Sequence, residues 1–181
     1  MTISSEHIRS TLNGYLDVHP EDKPSLAAVF DLLDTDADLA SRKEFRAHAT
    51  AGAVLLGPDS RILHIRHLAL DKWLLPGGHL EPEDDTLQSA ALRELCEETG
   101  ISVKSVTPMG TGPVDIDVHP IPANTSKAEP DHQHVDFRFL FHTETADVSA
   151  LQTEEVTGAA WLPVGALASR KLGRRVLGAL R

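Results

Sequence analysis

Apolar positions recur at helical spacing along the first part of the chain. Ile8, Leu12, Tyr15 and Leu16 follow one another at intervals of four, three and one, and Pro20 ends that segment. A second helix is predicted to open at Pro24, carrying Leu26, Val29, Phe30 and Leu33 on one side. The run Asp34–Asp38 reads as a turn or cap. It lacks the glycine and the distal glutamate that a calcium loop needs. Together these segments predict an N-terminal helical extension over residues 1–45, packed on a main domain over residues 46–181.

From Phe45 onward the period changes. Residues 50–56 form a short apolar run, Gly57-Pro58-Asp59-Ser60 a turn, and residues 61–66 a second run, which together predict a β-hairpin. Trp73-Leu74-Leu75-Pro76-Gly77-Gly78 leads into a glycine-rich bend. A helix then runs from about Thr86 to Thr99, with Gly100 suited to its C′ position. Later strands are predicted at residues 103–109, 135–141 and 159–162. A helix is expected after Pro163 and another over residues 171–180. Between Pro108 and Pro130 the five prolines predict a long loop. Helices and strands mix without a regular βαβα rhythm, so the fold class is α/β or α+β, a mixed-sheet sandwich.

Composition narrows the function classes. At 181 residues, 41% hydrophobic and 24% charged, the chain suits one globular domain with a short appendage. No stretch approaches the roughly 20 apolar residues of a membrane span, and the N-terminus lacks the basic and apolar regions of a secretion signal. A single cysteine, Cys96, excludes an internal disulfide framework, and a cytoplasmic location is expected. The net charge of −10 disfavours nucleic acid and anionic membranes as partners. The basic stretch from Arg170 to Arg181 is expected to be a solvated helix. An acidic protein can still receive an anionic substrate if a divalent cation lies between them.

The segment Arg93-Glu94-Leu95-Cys96-Glu97-Glu98-Thr99-Gly100 supplies that possibility. At about 100° per residue, Glu94, Glu97 and Glu98 fall within an arc of roughly 100°, and Ala91, Leu92, Leu95 and Cys96 lie opposite. Carboxylates at a helix C-terminus oppose the macrodipole and repel each other at i, i+3 and i, i+4. A hard divalent cation, Mg²⁺ or Mn²⁺, removes both penalties. Just upstream, Gly77-Gly78 lets backbone approach a ligand closely and turn N–H groups toward phosphate.

These residues resemble the Nudix hydrolase family. Its signature is a glycine, five variable residues, Glu, seven variable residues, then Arg-Glu-aliphatic-x-Glu-Glu-x-Gly-aliphatic. Arg93, Glu94, Leu95, Glu97, Glu98, Gly100 and Ile101 match every defined position of the second half. The first half departs by one extra residue. Counting from Arg93 puts Asp85 at the Glu position, and counting from Gly78 puts Asp84 there. In the family this Glu supports the loop by pairing with the signature Arg.

The resemblance implies a Nudix-type α/β/α sandwich and hydrolysis of a nucleoside diphosphate derivative by water attack on phosphorus, with Mg²⁺ or Mn²⁺ as cofactor. ADP-ribose, nucleoside diphosphate sugars and nucleoside triphosphates are the plausible substrates. It implies Glu94, Glu97 and Glu98 as metal ligands, Glu94 alternatively as general base, Arg93 as the loop-orienting residue, and Gly77 and Gly78 as the phosphate-facing turn. Glu154 and Glu155 are further candidates for the base. A homodimer is implied by family analogy. The other functions open to such a domain are a non-catalytic nucleotide sensor and an isoprenoid diphosphate isomerase.

The chain also has 10 histidines. On a strand, His132, His134, Asp136 and Arg138 share one face while Val135, Phe137 and Phe139 take the other. The polar face suits substrate contact through His132, His134 and Arg138. With His119 it would also suit a second metal, although an ordinary half-exposed sheet face has the same pattern. Trp73, Tyr15 and Trp161 are expected to pack, and Cys96 to be a buried small hydrophobe.

Overall fold

The computed structural model describes residues 3–148, 151 and 156–180. Among these, helices α1 (Ser5–Val18) and α2 (Lys23–Leu33) precede strands β1 (His48–Leu56), β2 (Arg61–His67), β3 (Lys72–Leu74) and β4 (Gly77–His79). Helix α3 (Leu87–Thr99) is followed by β5 (Val106–Pro108), β6 (Asp115–Ile121), β7 (His132–Thr143), β8 (Val156–Pro163) and α4 (Arg170–Ala179). None of the described helices is long and apolar enough to cross a membrane.

The strands form one mixed sheet. β1 runs parallel to β7 over its whole length. On its other side β1 meets β4 through Thr50–Gly52 and β2 near Leu56. Alternation along β1 separates the two faces. Ala49, Ala51, Ala53 and Leu55 enter the larger core with Phe137, Phe139 and Phe141. Helix α3 adds Leu87, Ala90, Ala91 and Leu95 to that core. The alanines on β1 are small enough for a helix to lie close against the strand. Ile8, Leu12, Leu26 and Val29 of α1 and α2 enter the same core, so the N-terminal helices belong to the packing of the sheet. On the opposite face Val54, Leu56 and Leu140 meet Leu172 and Val176 of α4. Helices on both faces make the α/β/α sandwich.

Several elements differ from the sequence expectation. The proline-rich segment between Pro108 and Pro130 contains β6, antiparallel to β7, where a loop was expected. Its alternation Asp115-Ile116-Asp117-Val118-His119 carries the strand, and Pro120 is tolerated because β6 is paired along β7 only. Residues 103–105 form a 3₁₀ turn, so the strand there is only three residues long. The segment after Pro163 is also a 3₁₀ turn.

The basic C-terminal helix is not simply solvated. Lys171 and Arg175 turn inward to Asp22 and Asp115. Arg175 Nη1 lies 2.6 Å from Asp115 Oδ1 and 3.0 Å from Asp22 Oδ2, and Lys171 Nζ lies 3.0 Å from both residues. Tyr15 packs as expected, and its hydroxyl joins this knot. It donates to Asp22 and accepts from Arg175 and from the Ile116 amide.

Candidate active site

Helix α3 starts cleanly. The Thr86 hydroxyl accepts from Ser89 N at 3.0 Å, and Ser89 Oγ accepts from Thr86 N at 2.9 Å. This reciprocal cap satisfies two otherwise orphaned groups. The helix ends at Gly100, whose φ of 68° is left-handed and whose N–H reaches Cys96 O at 2.9 Å. A well-defined start and stop fix the rotation of Arg93, Glu94, Glu97 and Glu98.

Strand β4 lies against that helix. Its two glycines are required by space. A Cβ on Gly77, at φ 158°, would stand 2.7 Å from the Ala51 carbonyl oxygen and from Gly52 Cα. A Cβ on Gly78 would stand 2.6 Å from Glu94 Oε1. With no side chains in the way, Gly77 N–H donates to Glu98 Oε2 at 3.0 Å and the Glu94 carboxyl packs on Gly78. Glu98 is therefore buried under the glycine turn instead of sharing an open face with Glu97.

Arg93 ties turn and helix together. Its Nε and Nη2 bond Asp84 Oδ1 and Oδ2 at 3.1 and 3.0 Å, a bidentate pair. Nη2 also donates to the His79 carbonyl at 2.9 Å. Nη1 reaches Glu94 Oε1 at 3.1 Å and Glu97 Oε2 at 2.9 Å. Of the two aspartates left open by the one-residue insertion, Asp84 is the one that pairs with Arg93. Asp84 is buried and accepts a further bond from Glu81 N at 2.8 Å.

Electrostatics follow from this geometry. Burial lifts the Glu94 carboxyl to about 6; Arg93 pulls it back, and Glu97 and Glu81 push it up. Burial works against the Arg93 charge, but Asp84 and Glu94 outweigh it and raise its pKa. The donor set suits a hard divalent ion. Glu94 and Glu97 already converge on one cationic nitrogen, and their oxygens are the ligand type Mg²⁺ prefers.

On the sheet face beside β4, His132 and His134 come together, with Nε2 atoms 3.3 Å apart. Arg138 is committed elsewhere. It bonds Asp136 at 2.8 Å, Asp115 at 3.1 Å and Asp117 at 3.2 Å, so its guanidinium holds three carboxylates across β6 and β7. The Asp117 carboxyl is held down at about 2 chiefly by His119, whose Nδ1 lies 3.2 Å away, with Arg138 adding to the effect against burial.

Sequence reasoning missed His48 and His79, which join this face. His48 pairs with His134 across β1 and β7, and His79 pairs with Thr50 across β4 and β1. The strand register was the missing information. His48 is buried, and its Nε2 has no hydrogen-bond partner among the described residues. Leaving such a group unsatisfied typically costs about 1–3 kcal/mol.

Trp73 is half exposed beneath the Arg66 guanidinium, so it is not a core residue. Trp161 packs on the core and donates to Ala146 O at 3.0 Å. Cys96 is half-buried, and burial together with Glu97 raises its thiol pKa, which disfavours the thiolate. Glu154 and Glu155 lie outside the described residues.

Comparison with known proteins agrees with the geometry. Residues 46–178 match the NUDIX domain. The chain is 32% identical over 128 residues to a "Probable DHNTP pyrophosphohydrolase" of Lactococcus lactis subsp. cremoris, covering 70% of this chain and 74% of the relative. A Clostridium perfringens hydrolase of the NUDIX family superposes with a TM-score of 0.56 at 20% identity, over 74% of this chain and 95% of the other. A C. elegans Ap4A hydrolase gives 0.54 at 20% identity, over 73% and 96%. The E. coli dihydroneopterin triphosphate pyrophosphohydrolase gives 0.54 at 17% identity, over 72% and 92%. At these identities the structural likeness speaks for the fold. With the domain matched over residues 46–178 and a pyrophosphohydrolase as its relative at 32% identity, the chain belongs to the Nudix family and is a pyrophosphohydrolase, a hydrolase of acid anhydrides.

Proposed function

We propose that the protein is a Mg²⁺-dependent hydrolase that cleaves the diphosphate linkage of a nucleoside diphosphate derivative. The observation that carries this reading is the convergence of Glu94 and Glu97 on Arg93, with Glu98 held on the Gly77 amide and Arg93 clamped to Asp84. When bound, Mg²⁺ (or Mn²⁺) neutralises phosphate charge and acidifies a coordinated water.

The chain's own residues have distinct tasks. Glu94 and Glu97 would hold the cation. Glu98 fixes the Gly77 amide, and the resemblance makes it a third candidate ligand. Alternatively, Glu94, whose pKa is raised by burial, is the base that takes a proton from water. Arg93 positions the turn. Gly77 and Gly78 let β4 lie against β1 and Glu94, which shapes the turn that would face the diphosphate. His132 and His134 border the face where the group attached to the diphosphate would lie. Arg138 positions that face through Asp115, Asp117 and Asp136.

ADP-ribose, nucleoside diphosphate sugars and nucleoside triphosphates are the substrate classes. The relatives named for dihydroneopterin triphosphate put a pterin triphosphate among the triphosphates. The test follows phosphorus NMR spectra across that panel, with Mg²⁺, with Mn²⁺ and with chelator. Metal-dependent products that disappear in Glu97→Gln are expected, and their identity names the substrate. Tight binding without turnover across the panel would move the protein to a non-catalytic nucleotide sensor.

A further inference from the structure

Four strands place histidines in a row across the sheet. His79 on β4, His48 on β1, His134 on β7 and His119 on β6 are neighbours through the registers Thr50↔His79, His48↔His134 and His119↔His134. One ring nitrogen from each of His48, His79 and His134 lies within 4.8 Å of the others. His132 stacks on His48 with ring centroids 4.8 Å apart.

The tautomers are informative. His48 Nδ1 is 3.1 Å from the Glu44 carbonyl, and His132 Nδ1 is 2.8 Å from the Pro130 carbonyl. A carbonyl only accepts, so both Nδ1 atoms carry the proton and both Nε2 atoms present a lone pair. Metal-binding histidines are commonly oriented by this kind of bond to the second nitrogen. The lone pair of His48 is the unpartnered, buried one, and it points into the group. The Nε2 atoms of His132 and His134 stand 3.3 Å apart. That is about the separation of two nitrogens on a tetrahedral ion with bonds of about 2.0–2.1 Å.

Neighbouring charges leave the group accessible to a cation. Arg42 is paired with Glu129 at 3.3 Å, and Asp117 sits 3.2 Å from His119.

We infer that His48, His79 and His134, with His132 at their flank, form a second cation site that takes a borderline first-row divalent ion such as Zn²⁺ in preference to Mg²⁺. Imidazole nitrogen selects for such ions, and carboxylate oxygen on α3 selects for harder ones. The site stands independently of the hydrolase reading. It meets the α3 site through the β4 backbone, where the His79 carbonyl accepts from Arg93.

The test is Zn²⁺ binding to the full chain in millimolar Mg²⁺, measured by competition with a chromophoric chelator. One equivalent is expected to bind. His79→Gln and His134→Gln should each weaken it about hundredfold, while Glu97→Gln leaves it unchanged. Circular dichroism checks that the variants are folded. The visible spectrum of Co²⁺ bound to the unaltered protein needs no variant, and the intense band of a four-coordinate nitrogen site is expected. The inference is overturned if Zn²⁺ is not bound, if binding is lost in Glu97→Gln, or if Co²⁺ shows only the weak band of a six-coordinate oxygen site. It is equally overturned if His79→Gln and His134→Gln raise KM while binding Zn²⁺ normally, which would assign the row to substrate contact.

Discussion

Two groups of like side chains lie on either side of the three residues of β4, and they solve the problem of crowding differently. Toward α3, Asp84, Glu94 and Glu97 are acids gathered around Arg93, which stands among them as an internal cation. Toward the sheet face, His48, His79 and His134 crowd with no ion pair of their own among the described residues, and burial lowers the pKa of each. The first group depends on charge balance and the second does not. A charge-balanced site is sensitive to loss of one partner, whereas a neutral cluster tolerates it.

The largest effect that would sharpen this contrast is expected from Arg93→Met. It strips the partner from the buried Asp84 carboxylate, and unfolding in urea should show a loss of about 3–5 kcal/mol. Asp84→Asn combined with Arg93→Met should recover part of that loss. A double variant as unstable as the single one would break the charge-balance explanation.

Next comes Glu97→Gln, which keeps the fold because its carboxyl is half exposed. Turnover with Mg²⁺ should fall by at least about 100-fold while the melting temperature stays within a few degrees. Gly78→Ala should cost about 1–3 kcal/mol, because its Cβ would collide with the Glu94 carboxyl and not with fixed backbone. A thermal melt measures the cost, and kinetics should show a lower kcat. The smallest effect on stability is expected from His79→Gln, about 1 kcal/mol or less by thermal melt without added metal. A large loss there would mean the imidazole row is structural.

A second charged cluster tests the same idea through pH. Burial pushes the Asp22 carboxyl up, but bonds from Arg175, Tyr15 and Lys171 outweigh it and hold it well below the usual carboxylate range. A depressed folded pKa means that the stabilisation is present above the unfolded value of about 3.9 and is lost as pH falls below it. Melting temperature should drop on acidification below about pH 4, and Asp22→Asn should flatten that part of the profile.

Much of the α3 site was legible in the chain because its parts are local. The helix cap at Thr86, the stop at Gly100 and the spacing of Arg93, Glu94 and Glu97 lie within fifteen residues, so helical period alone groups them. Glu98 was placed in the right arc but on the wrong side of the surface, because its burial comes from Gly77, twenty-one residues away. The choice between Asp84 and Asp85 needed the path of the loop. The histidine row depends wholly on register between strands distant in sequence, and only His119, His132 and His134 stood out beforehand. Strand β6 was hidden by its flanking prolines, although the alternation of Asp115, Asp117 and His119 with Ile116 and Val118 carried the signal.

The knot of Tyr15, Asp22, Asp115 and Arg175 also makes the sandwich depend on contacts distant in sequence. Arg175 bonds Tyr15 and Asp22 across 160 and 153 positions, and Asp115 across 60. The burial of both aspartates is compensated by Lys171 and Arg175, so the docking of α4 and the burial of these acids are one event. Helix α4 thus ties the first helices to the sheet edge through non-local contacts, the kind that are costly to close and rewarding only once closed.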